Sequence, residues 1–353
     1  MRIAYVCYWS VFVEDGVSKK ITMQAERWRA AGHAVEVFAL SPPARGREQQ
    51  WSAQARTFSS RLGRVTAAAR LLADVRRFRP NVVYLRYDLL PPPLHVVTRL
   101  APTVVELNSD DQLEYGFRSR RARLSRLYGA WNWRRLFAHA AAIVSVSGEL
   151  LSLVERYGRP MHVLGNGIEL DGVEPLPATG GGPLRLVFSG TPGQPWHGLD
   201  KIVDLAQLLP EIDVSLIGAA PDGPHPPNLT AHGFLGRDAY EPVLAAADAA
   251  IGSAGLHRKQ LHEASPLKVR EYLAYGLPVI LPYEDTDLAG VDDWWLLRLP
   301  NEESNLVDAA DRILAFAREA RGRRVPREAV AGRIGAAAKE ARRLEILADV
   351  ARP

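Results

Sequence analysis

The chain has 353 residues, of which 47% are hydrophobic and 24% charged, and its formal net charge is +4. Such a composition belongs to a globular protein in water, and the length exceeds one ordinary α/β core, so two domains are expected. No uninterrupted apolar run is long enough to span a bilayer, and a single cysteine, Cys7, excludes an internal disulfide or a Cys-based metal cluster and suits a reducing cytoplasm.

The opening MRIAYVCYW runs straight into a strand pattern, without a basic leader or a small-residue cleavage site, so no signal peptide is expected. Short runs of Val, Ile and Leu then alternate with helical patterns, the signature of βαβ units around a parallel sheet. Strands are predicted at Ile3–Tyr8, Ala34–Leu40, Val82–Arg86, Thr103–Glu106, Ala142–Val146 and Met161–Leu164. Cys7 falls inside the first of these as a small buried hydrophobe. Helices are predicted from Lys19 to Ala31 and from Arg64 to Phe78, the second stopping ahead of Pro80. Residues 171–183, DGVEPLPATGGGP, have no periodicity and read as a linker.

The rhythm restarts with predicted strands at Leu184–Phe188, Asp213–Ile217, Leu229–His232, Ala249–Ile251 and Pro278–Leu281. Predicted helices lie between and after them, at Gly198–Leu208, Tyr240–Ala246, Pro266–Tyr275, Asn305–Ala320 and over 327–349. The implied architecture is α/β, with two doubly wound Rossmann-like domains facing a central cleft. The first domain is expected over 1–170 and the second over 184–335, with a C-terminal helix over 336–353 returning to the first. Ligands on such sheets sit beyond the carboxyl ends of the strands, at helix N-termini. That singles out the loops after the first strand, after Thr103–Glu106, after Phe188 and ahead of Pro266.

Residues 1–170 hold 25 Lys and Arg against 14 Asp and Glu, whereas 171–353 hold 19 against 26, so a basic half precedes an acidic one. The stretch 117–137, FRSRRARLSRLYGAWNWRRLF, carries seven arginines and no acid, interleaved with Leu, Tyr and Trp. It reads either as a helix on an anionic membrane surface or as a partly buried helix whose arginine stems lie along apolar surface. No nucleic-acid motif accompanies it, so nucleic acid is not an expected partner.

The chemistry concentrates in LHRKQLHEASPLKVREYLAYGLPVI, residues 256–280. Ser265 is a good N-cap and Pro266 suits the first helical position, while Gly276 can close the helix and Pro278 keeps it closed. Such a helix presents unpaired N–H groups around Leu267 and Lys268, with the positive end of its dipole behind them. Arg258, Lys259 and Lys268 supply enough charge to hold a diphosphate. Glu263 suits sugar hydroxyls, and Glu271, in the second turn, suits a vicinal diol such as a ribose.

With ASPLK and AYGLPVI, the eight-residue spacing of Glu263 and Glu271 resembles the C-terminal signature of retaining GT-B glycosyltransferases, family 4 in particular. EDGVSKK at 14–20, PNVVYLR at 80–86, AAIVSVSGEL at 141–150, VLGNGIEL at 163–170, LRLVFSG at 184–190 and LTAHGFLGRDAYEPVLAAADAAI at 229–251 follow in the family's order. The resemblance implies anomer-retaining, metal-independent transfer of a sugar from a nucleoside-diphosphate sugar to the hydroxyl of a glycan, lipid-linked or small-molecule acceptor. It implies that Glu271 binds the ribose, Glu263 the transferred sugar, and Ser265, Leu267 and Lys268 sugar and phosphate. Phe234 and Leu235 would line the base pocket, and Gly16 would let backbone approach a substrate closely.

Two departures stand out. Where relatives carry an Arg and a Lys after the first strand of the second domain, this chain has SGTPGQPWHG, putting Thr191 and His197 in those places, with Arg258, Lys259 and Lys268 as compensation. Where many carry a His after the fourth strand, ELNSDD offers Asn108, with Asp110 as an acceptor orienter. No cofactor is expected. Asp285-Thr286-Asp287 matches an Asp-x-Asp metal motif but lies inside the second repeat, so no metal is expected either. The competing readings are a nucleotide-sugar isomerase of the same fold and a catalytically silent binding module. The expected location is cytoplasmic, peripheral to a membrane.

Overall fold

Seven strands build the first sheet: β1 (Arg2–Tyr8), β2 (Ala34–Ser41), β3 (Gln54–Thr57), β4 (Val82–Arg86), β5 (Thr103–Leu107), β6 (Ala142–Ser145) and β7 (Met161–Val163). All neighbours pair in parallel, in the order β3-β2-β1-β4-β5-β6-β7. The computed structural model describes residues 1–43, 47–110, 122–178 and 181–352, with only the backbone of 122–126. The helices of this unit include α1 (Gly16–Ala30), α2 (Arg61–Phe78), α3 (Ala122–Phe137) and α4 (Gly148–Ser152). Ile3 through Cys7 are wholly buried, as expected for a central strand covered on both faces. Burial pushes the Cys7 thiol up to about 12, so it stays a protonated hydrophobe.

Two features depart from expectation. The edge strand β3 is mostly exposed and reads QART, so it carries no apolar run for a sequence reading to find. Helix α1 starts three residues early because Asp15 caps it. The Asp15 carboxylate accepts from the N–H of Val17 and Ser18 at 3.0 and 2.9 Å, and the Asp15 N–H donates back to Ser18 Oγ at 2.8 Å. Gly16 is therefore the first helical residue. It is absent from the positive-φ glycines, so it is no glycine-dependent turn.

The second unit spans Asn166–Ala336. Its six-stranded parallel sheet has β8 (Leu184–Ser189), β9 (Ile212–Ile217), β10 (Leu229–Ala231), β11 (Ala249–Ile251), β13 (Val279–Leu281) and β15 (Leu296–Arg298), in the order β10-β9-β8-β11-β13-β15. A separate pair joins β12 (Glu263–Ala264) to β14 (Glu284–Asp285). The helices are α5 (Leu199–Leu208), α6 (Arg237–Ala246), α7 (Leu267–Ala274), α8 (Asn305–Asp308), α9 (Ala310–Ala320) and α10 (Arg327–Ile334). Part of the stretch expected as a linker is tied into this unit. The Leu176 N–H donates to the Tyr275 carbonyl at 3.0 Å, and Arg324 donates to the carbonyls of Leu176 and Pro177.

The last helix, α11 (Ala336–Ala351), belongs from Ala337 onward to the first unit, where Ile346 and Leu347 enter the core around Tyr5, Trp28 and Tyr84. Both sheets reverse direction of growth at a central pair, β1/β4 in one and β8/β11 in the other. Those are the switch points where loops part to leave a binding crevice.

Candidate functional site

In the second unit the loops after β8 and the start of α7 come together. Gly190, just past β8, has no room for a side chain: a Cβ there would lie 2.5 Å from the Phe188 ring and 2.9 Å from His197. Gly218, past β9 at φ +81°, would drive a Cβ to 2.4 Å from the Gly190 carbonyl. These glycines keep the sheet's carboxyl edge open at backbone level.

Helix α7 begins one residue later than its sequence suggests. Pro266, with φ −71° and ψ 137°, occupies the N-cap position, and no side chain caps the first turn. Ser265 is buried and engaged elsewhere: its Oγ accepts from the Asn166 N–H at 2.7 Å, and its carbonyl accepts from the Asn166 side-chain amide. The backbone N–H groups of Leu267 and Lys268 therefore open the helix uncapped by a side chain. Gly276 ends the helix with φ +80°, as its sequence predicts.

Lys268 has a partly exposed stem, but its ammonium is buried and makes no hydrogen bond. It sits 4.1 Å from the centroid of the Phe188 ring, which offers a negative face and no acceptor. Burial pulls its pKa down to about 7. The neighbouring His197 is buried too, edge-on to Phe188, with Nδ1 3.2 Å from the Thr191 carbonyl. Burial, then Lys268, push its pKa down to about 3, so His197 is neutral and takes no cation's place. Thr191 is exposed in the same loop. An ammonium held dry without an acceptor, at the mouth of an uncapped helix, has the chemistry to take up an anion.

Glu271, one turn further along α7, accepts a hydrogen bond from the Tyr240 hydroxyl of α6 at 2.8 Å. Glu263 lies on β12, two residues ahead of Ser265, half-buried and paired in register with Glu284. Past β10, Phe234 is 78% exposed beside the half-buried Leu235, so an aromatic face is on offer at the same edge.

Other candidates have different work. Arg258 forks onto Asp200 at 2.9 and 2.6 Å and also binds Glu303 and the Pro195 carbonyl, so its charge is neutralised twice. The expected phosphate clamp is instead a clasp between α5 and the turn before α8. Lys259 is buried with its ammonium 4.5 Å from the Trp196 ring. His257 Nε2 meets Glu303 at 2.5 Å. Asp285 and Asp287, the Asp-x-Asp pair, are both held by the buried Arg270, whose Nε also donates to the Asn166 carbonyl at 3.1 Å.

In the first unit, Asn108 follows β5 and is fixed from both ends: Lys20 donates to its Oδ1 at 3.0 Å, and its amide donates to Glu106 at 3.0 Å. Glu106 is wholly buried and also meets Lys20, Arg86 and Arg343. Burial alone would raise its pKa; those three cations outweigh it and hold the carboxyl well below the usual range. Asp110 is buried two residues further on. Residues 117–121 of the basic stretch lie outside the described residues. Of the rest, Trp133 and Phe137 are buried while Leu127 and Trp131 are 70% and 38% exposed.

Sequence reasoning missed Tyr240, Asn166 and the Phe188–Lys268 contact. Asn166 stands in the quoted VLGNGIEL, and nothing in its neighbours announces the partner 99 residues away.

Comparison with known proteins fits this geometry. The Glycosyltransferase Family 4 profile matches residues 15–171. Sucrose-phosphate synthase from Thermosynechococcus elongatus superposes with a TM-score of 0.71 at 15% identity, over 99% of each chain. Anabaena HepE in complex with UDP gives 0.64 at 15% identity, over 99% of this chain and 100% of that one. WaaG, a glycosyltransferase involved in lipopolysaccharide biosynthesis, gives 0.64 at 13% identity over 98% and 99%. No curated protein matches by sequence. The fold is GT-B, and the family 4 profile falls within the N-terminal part of the chain.

Proposed function

We propose that the protein transfers a hexose from a nucleoside-diphosphate sugar, with UDP as the first nucleotide to test, to an acceptor hydroxyl with retention of configuration. The observation that carries this is the buried Lys268 ammonium without a hydrogen-bond partner at the uncapped start of α7. The β-phosphate would take that position, with the α7 N–H groups, while Glu271 accepts from the ribose hydroxyls, Glu263 from the sugar, and the base lies against Phe234 and Leu235. Retention rests on the Glu263–Glu271 pattern's resemblance to retaining transferases. In the front-face step the acceptor oxygen bonds to the anomeric carbon as the bond to the diphosphate breaks, and the departing phosphate oxygen takes the acceptor proton. Lys268 stabilises the charge growing there, so the proposed reaction needs no metal. Asn108 and Asp110 are proposed on the acceptor side, and the exposed Leu127 and Trp131 on α3 as part of a contact with an anionic membrane face.

Calorimetric titration tests the site. Lys268→Met should weaken UDP binding roughly 10- to 100-fold, the range of a hydrogen-bonded charged group. Uridine, lacking phosphates, should bind both proteins alike. Equal UDP affinity in the variant would overturn the assignment.

A further inference from the structure

Resting on that reading of Glu271, we infer that Tyr240 is a positioning residue that sets how tightly and how selectively the site holds a ribose. Tyr240 lies on α6, not on the motif helix, and its hydroxyl reaches across to Glu271 Oε2 at 2.8 Å. A carboxylate on a half-exposed helix turn ordinarily samples several rotamers, and a ribose diol rewards only the one that turns its plane to both hydroxyls. The Tyr240 O–H fixes that plane from the side. Burial, with Glu271 beside it, pushes the phenol far above its ordinary pKa, so the O–H remains a donor throughout the working range. The rest of α6 is anchored independently: Tyr275 Oη, just past α7, donates to Glu241 of α6 at 2.9 Å, a carboxylate that Arg237 of the same helix steadies at 2.7 Å. The helix therefore holds its place without the Tyr240 hydroxyl, which is free to serve Glu271.

A hydroxyl that only filled space would leave nucleotide discrimination unchanged when removed. One that aims Glu271 would contribute to the part of the affinity that depends on the ribose hydroxyls. The test compares UDP with 2′-deoxy-UDP by calorimetry in the wild type, Tyr240→Phe and Glu271→Gln. Wild type should prefer UDP, and Tyr240→Phe should weaken UDP roughly tenfold while leaving 2′-deoxy-UDP within about twofold, one charged-acceptor hydrogen bond's worth of aim. In turnover, KM for the donor should rise with kcat little changed. Glu271→Gln separates the two ideas. If it abolishes the preference and Tyr240→Phe leaves it intact, the positioning role is wrong and the site stands. If neither variant changes the preference, Glu271 is not the ribose ligand and both fall.

Discussion

Lys268 is a residue whose protonation should be coupled to its ligand. In the unliganded protein burial holds its pKa near 7, so around neutral pH the side chain is only partly protonated. A diphosphate beside it favours the charged form and raises the pKa, so binding takes up a proton. The sign follows: affinity is full below about pH 7 and falls as pH rises above it, until the pKa of the complex is reached. The nucleotide's own terminal phosphate loses its last proton near pH 6 and would push the other way. Titrations of UDP between pH 7 and 9, in buffers of different ionisation enthalpy, should therefore show weakening affinity and net proton uptake. Both should vanish in Lys268→Met. A flat profile in the wild type would mean that the ammonium is already charged or that no phosphate reaches it.

At the scale of elements, the start of α7 is held by a relay that sequence spacing conceals. Asn166 grips Ser265 through its backbone N–H and its side chain, Arg270 holds the Asn166 carbonyl, and Asp285 and Asp287 hold Arg270. Periodicity located α7, and its Pro and Gly signals placed both ends to within a residue. The relay's partners are 15 to 104 residues apart, and no local pattern links them. The same limit explains Arg258. Its position near the motif was legible, but its engagement by Asp200 and Glu303 depended on the fold. Replacing Arg270 by Met should separate fold from site. It leaves two carboxylates facing a buried space, so stability should drop by about 3 kcal/mol, and the Ser265–Pro266 turn should lose its support. Hydrogen exchange at Asn166, whose N–H donates to Ser265 Oγ, and at Val269, whose N–H donates to the Pro266 carbonyl, should rise well before that of β8. Unchanged exchange there would show that Asn166 alone sets the turn.

For the whole molecule, the chain's return through α11 decides the stability of the first unit. Glu340 accepts from Trp28 Nε1 at 3.0 Å and from Gln24, and it pairs with Arg343, which in turn reaches Glu106, Tyr84 and the Leu164 carbonyl. Two carboxylates, two arginines and Lys20 are thus buried together, joining strand ends, α1 and the far end of the sequence. The strands were legible as apolar runs, whereas this cluster reads in sequence as ordinary helix charge, because only folding brings residues 20, 106 and 343 together. Glu340→Ala should cost about 3–5 kcal/mol, since Arg343 keeps its buried charge and Trp28 loses its acceptor. The paired change Glu340→Gln with Arg343→Met should cost far less, removing charge from both sides. The pH dependence follows from Glu106, whose folded pKa is depressed: its contribution is complete above the unfolded value of about 4.3 and drains away as pH falls below it. Chemical denaturation followed from pH 7 to pH 3 should show the wild type losing stability mainly below pH 4.3. Glu106→Gln should start lower and fall less steeply. Parallel curves for the two proteins would show that the cluster's charge does not govern acid stability.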